Sequence, residues 1–458
     1  MPFFRPDDWL PFPGSLDTRK APWVLGQVCR GWREVATSAS DLWTQISVPF
    51  EAEASPRLLA ALGRNLRLQL ERFHKRPLAI AHRDPYGAFE NPLLLVLRNS
   101  HSRWERAFRD GSIETFRHLV PSGARFPILK TLQLSFDADE WEDAPLYISL
   151  SSAPSLKRLT LCGDLMAVLC TNHQIPWKSV IHYASRDFTS CTPTTDNQFL
   201  ILLKLENVET CVIDTSEGEY VGMPSTPSLE LKYLHTLVIS YPEILMGDSS
   251  IPSLLGWLVL PALRVLRFPI GLEFPGDVIN LLSRSSCELE ELVIEDMKDS
   301  MLQVPGDLAR LFQVRSLRTL RTLGIGGMQN GLSKVARKTS DTIFKAIFPA
   351  DHRGNLVLPN LRRLILCHGQ CMDWTDDVLL EMVTLRRQHH SATAFEDIPA
   401  SQQLEELIFA GFGPWEKENC QIMDDFRPLT DYAAGRLMRL CRSGLVCTVS
   451  KAFDWYEV

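Results

Sequence analysis

The sequence predicts an α/β solenoid, with parallel strands along a concave side, helices and loops along a convex side, and a small helical module ahead of the array. Three observations lead there. A short phrase recurs, in which a leucine is followed by two mostly polar residues, a second leucine, one variable residue and a final aliphatic or aromatic. Its copies return at intervals of one structural unit, and a stretch of different character, rich in tryptophan, precedes them.

The phrase is clearest at Leu129/Leu132/Leu134, Leu156/Leu159/Leu161, Leu289/Leu292/Ile294, Leu361/Leu364/Leu366 and Leu404/Leu407/Phe409. Looser copies stand at Val208/Cys211/Ile213, Leu234/Leu237/Ile239, Leu263/Leu266/Phe268 and Leu320/Leu323/Ile325. The starts at 129, 156, 208, 234, 263 and 289 are 27, 52, 26, 29 and 26 residues apart, so the 52 reads as two units, one of them degenerate. Later starts at 320, 361 and 404 are more widely spaced, which a stack tolerates because each unit touches only its neighbours.

Side chains alternate across a strand, so the two apolar residues that flank the variable one face the core and the residues between them face out. The outward set is Thr131 and Gln133, Arg158 and Thr160, Thr236 and Val238, Val265 and Arg267, Glu291 and Val293, Arg363 and Ile365, Glu406 and Ile408. Convex helices are expected where Val378, Leu379, Met382 and Leu385 follow the caps Asp373 and Thr375, and where Ile343, Phe344, Ile347 and Phe348 follow Thr339 to Asp341.

Ahead of the array, Val24, Val28 and Trp32 recur at helical spacing, with Leu25, Cys29, Val35 and Ala36 widening the apolar stripe and Arg30 and Arg33 on its flank. Leu42 and Trp43 follow as an aromatic anchor. The expected segments are an irregular stretch over 1–22, a helical module over 23–50, a helical connector or cap over 51–120, the array over 121–445 and a tail over 446–458.

The phrase and its period resemble those of leucine-rich repeat proteins, although the Asn or Cys that the family places nine residues into the unit is replaced by Asp137, Asp164, Met297, Gly369 and Phe412. That departure implies an irregular variant without an asparagine ladder. The order Val28-Cys29-Arg30, Trp32-Arg33 and Leu42-Trp43 resembles the second half of an F-box. An F-box ordinarily opens with Leu-Pro-x-Glu-Leu; residues 1–22 keep only Leu10-Pro11, so the first half is missing or degenerate. The two blocks in this order are similar to fungal, basidiomycete-type F-box proteins with irregular leucine-rich repeats.

That resemblance implies a substrate-recruiting adaptor of a Skp/cullin/F-box ubiquitin ligase, itself no enzyme. Val24, Val28, Arg30, Trp32, Arg33, Leu42 and Trp43 would form the module that meets a Skp-type adaptor and its cullin scaffold. A protein substrate would lie on the array at Arg158, Arg267, Glu291, Arg363 and Glu406, whose alternating charges would fix its register. The alternative is a leucine-rich repeat interaction scaffold outside any ligase, with the helical module serving only as a cap.

Composition narrows the field. A net charge of −7 argues against a general nucleic-acid surface, and the arginines between Arg64 and Arg83 read as a solvated helix flank. Eleven scattered cysteines, several at apolar positions, fit a reducing compartment, cytosol or nucleus. The most apolar run, Ile251 to Leu266, is broken by Pro252, Pro261 and Arg264, so no membrane span is expected.

No catalytic signature, cofactor motif or metal site is expected. Cys367 and Cys371, with His389 and His390, lack the second cysteine pair of a zinc site. Gly324, Gly326 and Gly327 lack the third glycine and the Lys-Ser/Thr of a phosphate loop.

Overall fold

The computed structural model describes residues 15–48, 55–72, 76–84, 92–120, 123–135, 150–162, 175–186, 195–214, 229–240, 251–269, 274–295, 305–325, 357–368, 376–392, 404–411 and 431–450. The chain divides into two compact units, one within Pro2–Met223 and the other comprising Pro224–Tyr241 and Ile251–Val458.

The first unit carries strands β1 (Gln45–Val48), β2 (Leu78–Asp84), β3 (Trp104–Gly111), β4 (Thr131–Ser135), β5 (Arg158–Cys162), β6 (His182–Arg186) and β7 (Thr210–Asp214). All pair in parallel, side by side in chain order. The second unit carries a two-stranded ladder of β8 (Leu229–Glu230) with β10 (Leu258–Val259). Its parallel sheet runs β9 (Thr236–Ser240), β11 (Val265–Pro269), β12 (Glu291–Glu295), β13 (Thr322–Ile325), β14 (Arg363–His368), β15 (Glu406–Gly411) and β16 (Val446–Ser450). Parallel neighbours joined in sequence need a crossover at every step, and helices supply many of them. Within each sheet the strand order never reverses, so neither has the switch point at which doubly wound folds bind ligands.

Two devices recur between neighbouring units. The two residues after the first leucine both turn their N–H groups onto one carbonyl of the preceding unit. Lys157 and Arg158 donate to Lys130, Glu290 and Glu291 to Arg264, Arg362 and Arg363 to Arg321, all at 2.8–2.9 Å. The residue just before the phrase adds a side-chain bond across the same gap. Ser155 reaches the Pro127 carbonyl at 3.0 Å, Asn207 that of Lys178 at 2.8 Å, Thr319 that of Leu289 at 2.9 Å and Asn360 that of Arg318 at 2.7 Å. A polar ladder therefore exists upstream of the phrase. The positions nine residues in, where the family ladder was sought, fall outside the described residues.

Register then aligns the apolar columns. Leu237, Leu266, Leu292, Leu323, Leu364 and Leu407 stand opposite one another, all buried. In the first unit the corresponding column is Ile46, Ile80, Ala107, Leu132, Leu159, Tyr183 and Cys211. The long gap between the starts at 156 and 208 holds the degenerate unit, β6, with Val180 and Tyr183 at the leucine positions.

Stacking begins earlier and ends later than the leucine phrases do. Over 51–120, read as a helical connector, β2 and β3 alternate with helices Pro56–Arg72, Pro92–Arg98 and Ile113–Leu119. Trp43 and Trp104, both buried, take the place of the first leucine in their units, and a leucine count passes over them. At the other end β16 pairs with β15 where a tail was expected.

Of the two expected convex helices, the one after Thr375 spans Asp376–Ala392 and buries Leu379, Leu380, Met382 and Val383, while Leu385 is exposed. The other falls outside the described residues. No helix among the described residues is long and apolar enough to cross a membrane.

One core column departs from the apolar rule. Val48, His82, Arg109, Leu134 and Leu161 are successive rungs, and His82 and Arg109 are buried to 2% and 3% exposure. Both ring nitrogens of His82 lack a hydrogen-bond partner, and a cavity of about 20 Å³, room for one water, lies between His82, Arg109, Trp104, Phe116 and Phe126. An aliphatic there would fill space and remove an unmet polar group. His82→Leu is expected to raise stability by about 1 kcal/mol, read as a higher urea midpoint; a lower midpoint would show that the imidazole is satisfied.

Candidate functional site

The tryptophan-rich segment forms two short helices, α1 (Leu25–Val28) and α2 (Arg30–Ser38), followed by a 3-10 turn over Ser40–Trp43 that leads into β1. The expected single amphipathic helix is broken at Cys29, whose extended backbone (φ −158°, ψ 175°) ends α1 and starts α2. The Cys29 sulfur accepts the Trp32 N–H at 3.5 Å, a side-chain cap at the first free donors of α2. At its far end Thr37 returns its hydroxyl to the Arg33 carbonyl at 2.7 Å.

Two indoles moor the module. Trp43 is 1% exposed and donates Nε1–H to the Ala36 carbonyl at 2.7 Å; Trp23 donates to Ser15 at the same distance. Their rings meet edge to face at 4.9 Å, and the Arg72 guanidinium lies 4.9 Å from one centroid and 4.5 Å from the other. Desolvation lowers the Arg72 pKa from its ordinary value, and the π faces supply the compensating attraction. The helix Pro56–Arg72 adds Gln69, whose Nε2 donates to the carbonyls of Trp43 at 3.2 Å and Gln45 at 2.8 Å. The run of arginines expected to be a solvated flank thus divides: Arg64 and Arg67 are exposed, while Arg72 belongs to the mooring.

With the indoles doing the anchoring, most of the stripe faces out, while Ala36 is buried and Leu25 half-buried. Val28 is 63% exposed, Val35 61%, Trp32 52%, Leu42 43% and Val24 37%. Arg30 pairs with Glu34 at 3.0 Å on the surface, and Arg33 is spent locally on the Gly26 carbonyl at 2.8 Å. Trp43 is therefore a structural member of the expected set. The other six, Val24, Val28, Arg30, Trp32, Arg33 and Leu42, are exposed.

On the strands, the charged residues expected to meet a partner mostly meet each other. Arg267 gives Nε and Nη2 to one Glu291 oxygen at 3.0 and 2.8 Å, with side chains 6% and 16% exposed, and Arg363 meets Glu406 at 2.6 Å. The residues immediately ahead of these strands repeat the pattern, Arg264 with Glu290 at 3.5 Å and Arg362 with Glu405 at 3.4 Å. Alternating sign along the second unit locks neighbouring strands of the chain itself. Of the middle outward positions, Gln133, Val238, Val293, Ile365 and Ile408 are buried as well, because aliphatics on adjacent rungs shed water against one another.

The outward row stays partly open in both units, at Thr131, Arg158, His182 and Thr210 in the first and at Thr236, Val265, Glu291, Thr322, Arg363 and Glu406 in the second. Burial lowers the His182 pKa, the Arg158 charge lowers it further, and Glu209 opposes both. Sequence reasoning passed over His182 because its unit lacks the leucine phrase. Cys367, His389 and His390 have no described side chains, and Cys371 lies outside the described residues; no metal-binding cluster occurs among those that are described. Gly324 lies inside β13, opposite Val293 and Ile365, and not in a phosphate loop.

No family model matches the chain, and no curated protein matches it significantly.

Two outcomes follow from this geometry. Arg267→Glu leaves two carboxylates together in a nearly closed site and is expected to cost about 3–5 kcal/mol, with Arg267→Glu/Glu291→Arg recovering part of the loss in a double-mutant cycle of urea unfolding. His182 has a depressed folded pKa, so it stays neutral in the fold while the unfolded chain takes up a proton. Its contribution is complete above the unfolded value, about 6.5, and declines as the pH falls below it. Urea midpoints at pH 7.5 and 5.5 should differ less for His182→Gln than for the parent.

Proposed function

We propose that the chain is a substrate-recruiting adaptor of a Skp/cullin/F-box ubiquitin ligase, in which α1 and α2 dock a Skp-type adaptor and the stacked strands, read as irregular leucine-rich repeats, hold a protein substrate. One observation carries the reading. Val24, Val28, Trp32, Val35 and Leu42 are exposed together on a module whose own folding needs are met by Trp23, Trp43 and Arg72. Exposed apolar side chains set among charged groups such as Arg30 and Glu34 are the composition of a protein-binding patch.

The resemblance of Val28-Cys29-Arg30, Trp32-Arg33 and Leu42-Trp43 to the second half of an F-box supplies the identity of the partner. The structure supports a division within that motif, since Trp43 faces inward and Trp32 outward. For the substrate, the surface favoured is the first unit's row of Arg158, Thr160 and His182.

Aromatic residues at the centre of a patch carry much of its binding energy, so Trp32→Asp is expected to weaken capture of a purified Skp-type adaptor by about 2 kcal/mol or roughly 30-fold. The melting temperature should not move. Trp43→Ala, in contrast, should lower both stability and capture. Full adaptor binding by a folded Trp32→Asp variant, or no binding by the parent, would leave an interaction scaffold outside the ligase as the better account.

A further inference from the structure

Charge is unevenly spread along this acidic chain. No carboxylate stands between Asp307 and Asp341, and seven basic residues fall there, among them Arg315, Arg318 and Arg321 in the connection from the helix Pro305–Phe312 to β13. That connection is wound with a period of three. The Leu317 N–H returns to the Val314 carbonyl at 3.0 Å, that of Arg318 to Arg315 at 3.1 Å and that of Leu320 to Leu317 at 3.1 Å, around a 3-10 turn over Arg315–Leu317. Leu311, Leu317 and Leu320 are buried at one phase of the repeat; Arg315, Arg318 and Arg321 are exposed at another. Burial of the leucines therefore turns the arginines to the surface, where Arg315 and Arg318 stand one turn apart, about 6 Å along its axis.

The connection is pinned on three sides. Ser316 and Thr319 give their hydroxyls to the Leu282 and Leu289 carbonyls at 3.2 and 2.9 Å, and Asn360 donates to the Arg318 carbonyl at 2.7 Å. The arginines are thus presented from a fixed backbone.

Their charges are not used as those of neighbouring arginines are. Arg264, Arg267, Arg362 and Arg363 each meet a glutamate of the next strand or its entry. Among the described residues no carboxylate pairs with Arg315, Arg318 or Arg321. Like charges at neighbouring surface positions repel, so three arginines in a row are a small burden on the fold with no internal return.

We infer that Arg315, Arg318 and Arg321 form a docking surface for an acidic segment of a partner protein. Spacing and chemistry both match. Acidic side chains on one face of an extended chain recur at every second residue, roughly 6.6 Å apart, close to one turn of the arginine-bearing connection. The guanidinium fork takes a carboxylate through two parallel N–H donors, a geometry that lysine lacks. A nucleic acid fits less well, because phosphates running beyond the patch would meet a protein of net charge −7. The surface lies in the second unit and does not rest on the adaptor reading, which concerns α1 and α2.

The test uses the whole chain and a fluorescein-labelled peptide of alternating glutamate and serine, read by fluorescence anisotropy beside its glutamine–serine counterpart. The glutamate peptide should bind and weaken as salt rises, and the glutamine peptide should not bind. Exposed ion pairs are individually weak, so Arg318→Gln is expected to lower affinity about threefold and Arg315→Gln/Arg318→Gln/Arg321→Gln about thirtyfold, with unchanged melting temperatures. Arg264→Gln, which removes an arginine already paired with Glu290, and Trp32→Asp should bind the peptide as the parent does. Undiminished binding by the triple variant, no binding by the parent, or tighter capture of a single-stranded RNA oligonucleotide by the same three arginines would overturn the inference and leave the adaptor reading untouched.

Discussion

Register is the constraint on which each unit depends. One carbonyl accepts two N–H groups from the next strand, at 2.9 Å each where Lys130 receives Lys157 and Arg158, so a strand cannot slide by a residue without losing both. A slip by one would also turn every leucine of that strand to the open face. The columns of leucine are thus a result of the backbone pairing as much as its cause. Ser155, Asn207, Thr319 and Asn360 tighten the same joint from the side.

Electrostatics serves the same joint in the second unit. Arg267 with Glu291 and Arg363 with Glu406 each bridge adjacent strands, and Arg264 with Glu290 and Arg362 with Glu405 do so immediately ahead of the same strands. Desolvating a charge is costly unless its partner is held in place. Here the parallel pairing delivers the partner to each of these four arginines. The first unit has a different economy: its open row is mostly threonine, arginine and histidine, and its core admits His82 and Arg109 on one column.

At the N-terminal module the division of labour is between inward and outward aromatics. Trp23, Trp43 and Arg72 form one cluster that ties α1, α2 and the helix Pro56–Arg72 to β1. This mooring explains how a segment of two short helices stands folded while showing Val28, Trp32 and Val35 to solvent. Short helices are marginal alone and take their stability from such tertiary contacts.

The recurrence of leucines by itself determined parallel strands in chain order, the approximate period and the degenerate unit between 156 and 208; the segment expected as a helical module over 23–50 holds two helices and also β1, the first strand of the sheet. Alternation of side chains is a local rule, so a pattern of residues suffices to state it. What the pattern could not hold is anything decided by a neighbour in space. Trp43 and Trp104 act as leucines only because their strands lie beside others, which is why the array's first strands were invisible to a leucine count. Arg267 and Glu291 read as exposed binding residues until pairing set them 2.8 Å apart, and Trp32 and Trp43 are equivalent in sequence until one is covered and the other is not. Each of those outcomes depends on which side chain the adjacent turn of chain delivers, and that is fixed only when the units stack.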